Sequence, residues 1–261
     1  MPNAHDFTGI TELAGDPASR EQVDRLHRRY YWAGDYARGK DVLEVACGAG
    51  QGLGYLQQMA RSVCGADLSE PVLAGARRHY AGRVDLRCFD AQEMPLADAS
   101  FDVVIMFEAL YYLPDASRFV REARRVLRPG GVLLISSANK DLYEFTPSPQ
   151  SVRYYGVVEL GALLAESGFA ARFFGDTDVT AVSWRQRVTR PLKKLATAAN
   201  LMPKNKALKA MLKRVVFGPI DRLPAEVAPG YPDPGLPLAT VPAGAADRRH
   251  KVIYCEATRA T

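Results

Sequence analysis

The 261-residue sequence lacks the features of an exported, membrane-spanning or metal-binding protein. Its first residues contain no basic stretch followed by an apolar run, and the apolar run 103–113 is interrupted by Glu108, so neither a leader nor a membrane span is predicted. Four cysteines occur without a C-x-x-C pair, and His5, His79 and His250 have no metal-ligand spacing. We therefore expect buried, reduced cysteines, no metal and a cytoplasmic protein.

Acidic residues are missing from 179–220, a stretch that contains ten lysines and arginines. Because the whole chain carries only +5, the rest of it is acidic. The basic segment can be an amphipathic cover over the sheet edge or acceptor pocket, or a weak membrane-surface or phosphate contact through residues 185–217. Nucleic acid is the least favoured partner, since no recognised reading module accompanies the basic residues.

The most informative stretch is residues 42–54, in which a short apolar run carrying Glu44 leads directly into a glycine-dense turn. The turn has glycines at alternate positions, Gly48, Gly50 and Gly52. Glycine permits tight turning and close backbone approach to a ligand, and the helix predicted at 53–60 presents a partly positive N-terminus to the same place. The pattern indicates a buried strand that delivers a ligand-binding loop.

Strands and helices alternate along most of the chain. Six further strands are predicted at 61–67, 84–89, 101–107, 132–136, 169–174 and 251–256. With the first strand, they predict a seven-stranded, mostly parallel α/β sheet covered by helices on both faces. The predicted divisions are an N-terminal helical lid (1–40), a core (41–175), a basic and then proline-rich insertion on the acceptor side (176–248), and the final strand (249–261).

Acidic residues stand at the ends of predicted strands. Asp67 closes the second strand twenty residues after Cys47, where a nucleotide fold needs a carboxylate for ribose hydroxyls, and Asp90 closes the third. Folds that bind a nicotinamide dinucleotide and folds that bind S-adenosylmethionine both need an acid at the position of Asp67. Two details favour S-adenosylmethionine over a nicotinamide dinucleotide. Leu53 occupies the third glycine position of G-x-G-x-x-G, and Glu44 stands where dinucleotide folds have a plain hydrophobic residue.

This order of motifs resembles the class I S-adenosylmethionine-dependent methyltransferases over about residues 24–175, including the turn Arg128-Pro129-Gly130-Gly131. The resemblance implies a Rossmann-like fold, S-adenosylmethionine as cofactor, Asp90 near the adenine amino group and the next backbone N–H near the ring. Ala46 replaces the more usual glycine of the family. The expected cofactor contacts are Arg29, Tyr30, Glu44, Ala46, Cys47, Gly48, Gly50, Asp67, Leu68, Asp90, Ala91 and Phe107.

Three further segments, at 27–30, 107–115 and 136–140, resemble methyltransferases found beside glycan-assembly genes, as does Leu-Pro-Ala-Glu from Leu223. Those relatives commonly carry a histidine where this chain has Tyr112. The catalytic candidates are therefore Tyr112, Tyr111 and Glu108, acting by orientation and desolvation more than as strong bases, since tyrosine has a pKa of about 10. The aromatic connection after the fifth strand suggests acceptor contacts, expected at Asn139, Tyr143, Tyr154 and Tyr155.

These residues predict methyl transfer to an oxygen, or less favourably a nitrogen, of a saccharide or glycosylated small molecule. A non-sugar natural product is the alternative acceptor. The alternative from a different functional class is a protein that binds S-adenosylmethionine but does not transfer its methyl group. The sequence leaves open whether the chain forms a homodimer.

Overall fold

The structure is a computed structural model that describes residues 7–9, 11–143, 145–148, 150–179, 220–232, 235 and 237–260. The basic segment 185–217, and with it the predicted membrane-surface contact, lies outside the described residues. No helix among the described residues combines the length and apolar character needed to cross a membrane.

Ten strands and five α-helices make up the described fold. The strands are β1 (Pro17–Ser19), β2 (Asp41–Val45), β3 (Ser62–Asp67), β4 (Asp85–Cys88), β5 (Phe101–Phe107), β6 (Leu127–Ala138), β7 (Phe169–Asp178), β8 (Ile220–Arg222), β9 (Ala239–Val241) and β10 (His250–Arg259). The helices are α1 (Arg20–Ala37), α2 (Leu53–Gln57), α3 (Glu70–Tyr80), α4 (Ala116–Val126) and α5 (Val157–Glu166), with a 3₁₀ turn at Leu110–Tyr112.

The main sheet has the strand order β4-β3-β2-β5-β6-β10-β7-β9. The first five strands are parallel, whereas β10 runs antiparallel to both β6 and β7. The predicted α/β architecture is confirmed, but the predicted count of seven strands is wrong because β9 adds an eighth at the edge beside β7. This strand of three residues lies in a proline-rich stretch, whose composition gives no strand signal.

Two apolar layers enclose the sheet. The layer formed with α4 and α5 contains Leu43, Val104 and Ile135, while the layer formed with α1, α2 and α3 contains the alternate residues Val42 and Ile105. This alternation follows from the two-residue period of a strand whose faces are both covered. The sheet therefore presents its carboxyl ends, where β2, β3, β4 and β5 stop, as the open edge.

Helix α1 begins at a capping box, in which the Ser19 hydroxyl accepts from the Gln22 N–H and the Gln22 side chain accepts from the Ser19 N–H. One face of this helix forms an apolar stripe that is buried and includes Leu26 and Ala33. Burial of that stripe fixes the rotation of the helix about its axis. The neighbouring residues Arg29 and Tyr30 are thereby directed toward the carboxyl edge of the sheet.

Candidate functional site

The glycine loop after β2 needs each of its four alternate glycines for a physical reason. Gly48 and Gly50 have left-handed backbones, with φ of +57° and +73°, which glycine adopts without the Cβ penalty. Gly52 lies under the ring of Tyr30, and Gly54 lies against the carboxylate of Glu226, so a Cβ at either position would overlap those side chains. The loop is thus shaped by conformation at its start and by close packing at its end.

Two residues other than glycine adopt the left-handed conformation at adjacent strand ends. Ala46 has φ +51° after β2, and Glu108 has φ +52° after β5. A residue with a Cβ is disfavoured there by about 1–2 kcal/mol, and such strain concentrates at functional sites. Both residues flank the crevice between two central parallel strands, which is where open α/β sheets bind ligands.

Buried polar atoms without partners lie beside this crevice. Tyr30 donates a hydrogen bond from its hydroxyl to Glu44 Oε1 over 2.6 Å, while Glu44 Oε2 and Arg29 Nε are buried with no partner among the described residues. Burial raises the pKa of Glu44 to about 7. Since buried charged groups are normally paired, one free acceptor and one free donor here fit a ligand that carries both an ammonium and a carboxylate, as S-adenosylmethionine does.

The carboxylate of Asp67 joins the loop to the end of β3. Its two oxygens accept hydrogen bonds from the Gly48 and Ser69 N–H groups, both over 2.9 Å, and burial raises the pKa of this carboxyl. A carboxylate has about four acceptor positions, so capacity for ribose hydroxyls remains. Cys47 and Leu68 complete the adjoining turns, where the Cys47 N–H donates to the Ala66 carbonyl.

Asp90 follows β4 at the same edge of the sheet. One of its oxygens accepts from the Gln92 N–H over 2.8 Å, and the Gln92 side chain donates to both. Ala91 is buried beside it. Phe107, the last residue of β5, packs edge to face with Tyr30 at a ring separation of 5.6 Å. The twelve residues predicted to contact the cofactor lie in or just after the carboxyl ends of β2, β3, β4 and β5, or on α1.

An aromatic cluster lies on the other side of Glu108. Tyr111 stacks on Tyr154 at 4.2 Å between ring centroids and contacts Tyr112 at 4.6 Å, and Phe145 meets the ring of Tyr154 at 4.7 Å. The Tyr111 hydroxyl donates to Glu108 Oε2 over 3.3 Å. Burial raises the pKa of Tyr111 far above its ordinary value, so this hydroxyl stays protonated and orients Glu108.

The remaining predicted acceptor residues are placed differently. Asn139 is buried, and its amide nitrogen donates to the main-chain carbonyls of Asp247 and His250, each over 2.8 Å. It therefore holds the turn before β10 and has no free donor for an acceptor molecule. Tyr143 is 84% exposed, and the ring of Tyr155 lies under the guanidinium of Arg153. Tyr154 belongs to the aromatic cluster.

Sequence reasoning missed two groups at this edge. Ser136, two residues before the end of β6, has a fully buried hydroxyl without a partner among the described residues. It lies between Phe107 of β5 and Tyr254 of β10 in the ladder. The Tyr80 hydroxyl donates to the Gly50 carbonyl over 2.6 Å and accepts from the Gly54 N–H over 3.0 Å. Gly54, one more glycine in the same stretch, was the only feature of the sequence that pointed to the contact between its N–H and the Tyr80 hydroxyl.

Comparisons with known proteins agree with this geometry. Residues 43–135 match the methyltransferase domain family. A probable S-adenosylmethionine-dependent methyltransferase of Mycolicibacterium smegmatis is 38% identical over 173 residues, which cover 65% of this chain and 67% of that protein. The chain belongs to the S-adenosylmethionine-dependent methyltransferases, and its predicted class I fold is confirmed.

Two further comparisons show how far the likeness extends. The phthiotriol/phenolphthiotriol dimycocerosates methyltransferase 1 of Mycobacterium ulcerans is 39% identical over 128 residues, which cover 48% of this chain and 46% of that one. A methyltransferase structure from Aquifex aeolicus superposes with a TM-score of 0.52 at 23% identity, over 60% of this chain and 87% of that chain, and it shares the fold. The chain spans two thirds of the first curated relative and about half of the second.

Proposed function

We propose that this protein transfers a methyl group from S-adenosylmethionine to an oxygen, or less favourably a nitrogen, of a saccharide or glycosylated small molecule. The observation that carries the cofactor half of the proposal is the pair of orphaned buried atoms, Glu44 Oε2 and Arg29 Nε, beside the glycine loop. In this assignment Glu44 faces the ammonium of the cofactor and Arg29 its carboxylate. Asp67 and Asp90 hold the ribose and the adenine.

Bound S-adenosylmethionine supplies an activated methyl group, so most of the catalysis can come from orienting the acceptor. The aromatic cluster of Tyr111, Tyr112, Phe145 and Tyr154 is the proposed wall of the acceptor site, because flat rings exclude water and stack on sugar or aglycone faces. Tyr111 fixes Glu108 through its hydrogen bond. Tyr112, whose ring lies against that of Tyr111, is the residue nearest to the reacting atoms in this proposal.

Glu108 is the proposed acceptor of the proton that a hydroxyl loses as the new bond forms. It lies at the carboxyl end of β5 on a strained backbone, and its side chain is held by Tyr111. A carboxylate within hydrogen-bond reach of the acceptor suits this task. An amine acceptor needs only to be neutral, and for such a substrate Glu108 would orient the nitrogen.

A second candidate acceptor is a non-sugar natural product of lipid character. The relatives at 38–39% identity include proteins named for phthiotriol and phenolphthiotriol dimycocerosates, and the same aromatic wall suits an apolar chain. The chemistry of transfer is unchanged in this candidate. Only the acceptor differs, so a single assay can separate the two.

The test is product formation from S-adenosylmethionine carrying a ¹³C-labelled methyl group. Matched acceptors would be supplied in pairs, each saccharide or glycoside beside its aglycone, together with long-chain diols. Appearance of a ¹³C methyl-ether signal with the glycosides alone supports the proposal, and a signal with the diols or aglycones alone supports the second candidate. Binding of the cofactor without turnover on either class would contradict both and favour a cofactor-binding protein without transfer activity.

A further inference from the structure

The segment 223–231, here called the strap, crosses the middle of the glycine loop. The Val227 N–H donates to the Gln51 carbonyl over 2.7 Å, and the Gln51 side chain donates back to the Pro224 carbonyl over 3.0 Å. Gln51 is 6% exposed, and Leu223 and Val227 are buried in the same apolar layer as α1. The central residue of the loop is therefore hydrogen-bonded to the strap through both its main chain and its side chain.

Glu226 fastens the strap to the loop and to the region around the end of α3. Its Oε1 contacts His79 Nε2 at 2.6 Å and Arg83 Nη2 at 2.7 Å, and its carboxylate lies against the Cα of Gly54. Burial alone would raise the pKa of Glu226, but the hydrogen bonds from Arg83 and His79 outweigh it and lower the pKa. Gly54 and Glu226 are complementary in shape, since any side chain at position 54 would displace the carboxylate.

Both ends of the strap are attached to the N-terminal part of the chain. Before it, β8 pairs with β1, which leads directly into α1. After its crossing, Tyr231 stacks on His27 at 3.6 Å and donates its hydroxyl to Asp24 over 2.6 Å. The strap thus connects the glycine loop with the helix that carries Arg29 and Tyr30.

We infer that the strap holds the glycine loop in its cofactor-binding conformation, and that Glu226 is a positioning residue for cofactor affinity. This inference rests on the proposed binding of S-adenosylmethionine by the loop. A loop with left-handed glycines has many conformations when it is unsupported, so contacts that restrict it reduce the entropy lost on binding. Linkage requires the reverse as well: a ligand that orders the loop stabilises the strap by the same free energy.

The first measurement is affinity for S-adenosylhomocysteine by calorimetry, in the wild type and in Glu226→Gln. The amide keeps the size of the side chain but removes its charge, so the ion pair with Arg83 is lost and the contact with His79 is weakened. We expect the Kd to rise about three- to tenfold, which lies within the range of couplings through packed networks, while kcat at saturating cofactor changes little. Arg83→Gln, which removes the ion pair with Glu226 from the other side, should have an effect of the same sign.

Glu21→Gln is the matched control, because it removes a surface ion pair of 2.8 Å with Lys251 that does not touch the strap. The second measurement is hydrogen exchange at the Val227 amide, whose protection should increase when S-adenosylhomocysteine binds to the wild type. Thermal unfolding of each variant separates a local effect from general destabilisation.

A Kd in Glu226→Gln equal to that of the Glu21 control, with unchanged exchange at Val227 on ligand binding, would overturn the role of the strap. A wild type that does not bind S-adenosylhomocysteine would overturn the cofactor proposal and this inference with it. The two failures are therefore distinguishable. A raised Kd together with ligand-dependent protection of Val227 supports the inference.

Discussion

Replacement of Glu44 by glutamine should make the ligand-free protein more stable and its cofactor binding weaker. Glu44 is 2% exposed, and burial raises its pKa from an ordinary 4.5 to about 7. Because one unit of pKa corresponds to about 1.4 kcal/mol, ionised Glu44 destabilises the folded state by about 3 kcal/mol. The Tyr30 hydroxyl can still donate to the amide oxygen of glutamine, so the variant loses the charge without losing this contact.

The sign of the pH dependence follows from the raised pKa. Below about pH 4.5 the folded state holds Glu44 in its neutral form without a penalty. The stability that goes with this neutral form is lost as the pH rises from 4.5 through about 7. Urea unfolding without ligand should therefore show Glu44→Gln to be more stable than the wild type at pH 8, by an amount that largely disappears at pH 5. Calorimetry with S-adenosylhomocysteine at pH 8 should show a loss of about 1.5–3 kcal/mol, the worth of a charged hydrogen bond.

Equal stability differences at pH 5 and pH 8 would refute the argument about stability, because they would show that Glu44 does not ionise against an unfavourable environment. Unchanged affinity would refute the assignment of Glu44 to the cofactor ammonium. Glu21→Gln serves again as the control, since this side chain is exposed and should show neither effect.

Substitutions at three further positions test the glycine loop, the proposed ribose contact and the proposed acceptor site. Ala46→Gly should raise the free energy of unfolding by up to about 1 kcal/mol, because φ of +51° suits glycine; a less stable variant in urea titrations would contradict strain there. Asp67→Ala should weaken S-adenosylmethionine binding by about 1.5–3 kcal/mol in calorimetry, and unchanged affinity would leave Asp67 a purely structural link to Gly48. Tyr112→Phe should keep most of the turnover while Tyr112→Ala loses far more, and equal losses in two variants that still bind cofactor would show that the hydroxyl takes part in the chemistry.

The position of the proposed cofactor residues at one edge of the sheet was largely predictable from the sequence because its determinants are local. A buried strand followed by alternating glycines specifies a turn, and Asp67 and Asp90 follow from the rule that strand ends meet at one edge of a parallel sheet. The raised pKa of Glu44 was not predictable, since it depends on how completely α1 covers β2. The sequence identified an acid in the strand, but burial of its second oxygen is a property of packing.

Contacts between distant segments were the part that sequence reasoning could not supply. Glu226 meets Gly54 across 172 positions, and its proline-rich surroundings predict only an extended chain. Asn139 shows the same dependence on distant residues: an amide just after a strand can reach a ligand or cap a turn, and only the positions of Asp247 and His250 decide between them. β9 was missed because three residues carry no measurable period.

The position of β10 has a consequence for how the protein is assembled. This strand comes last among the described elements, yet it lies inside the sheet, between β6 and β7. Until it is inserted, β7 and β9 have no partner that connects them to the parallel strands, and the edges of β6 and β7 expose unpaired backbone groups that can pair with other chains. Completion of the sheet therefore depends on a late contact of long sequence separation, which makes slow closure and aggregation of incomplete chains the expected weakness of this fold during synthesis.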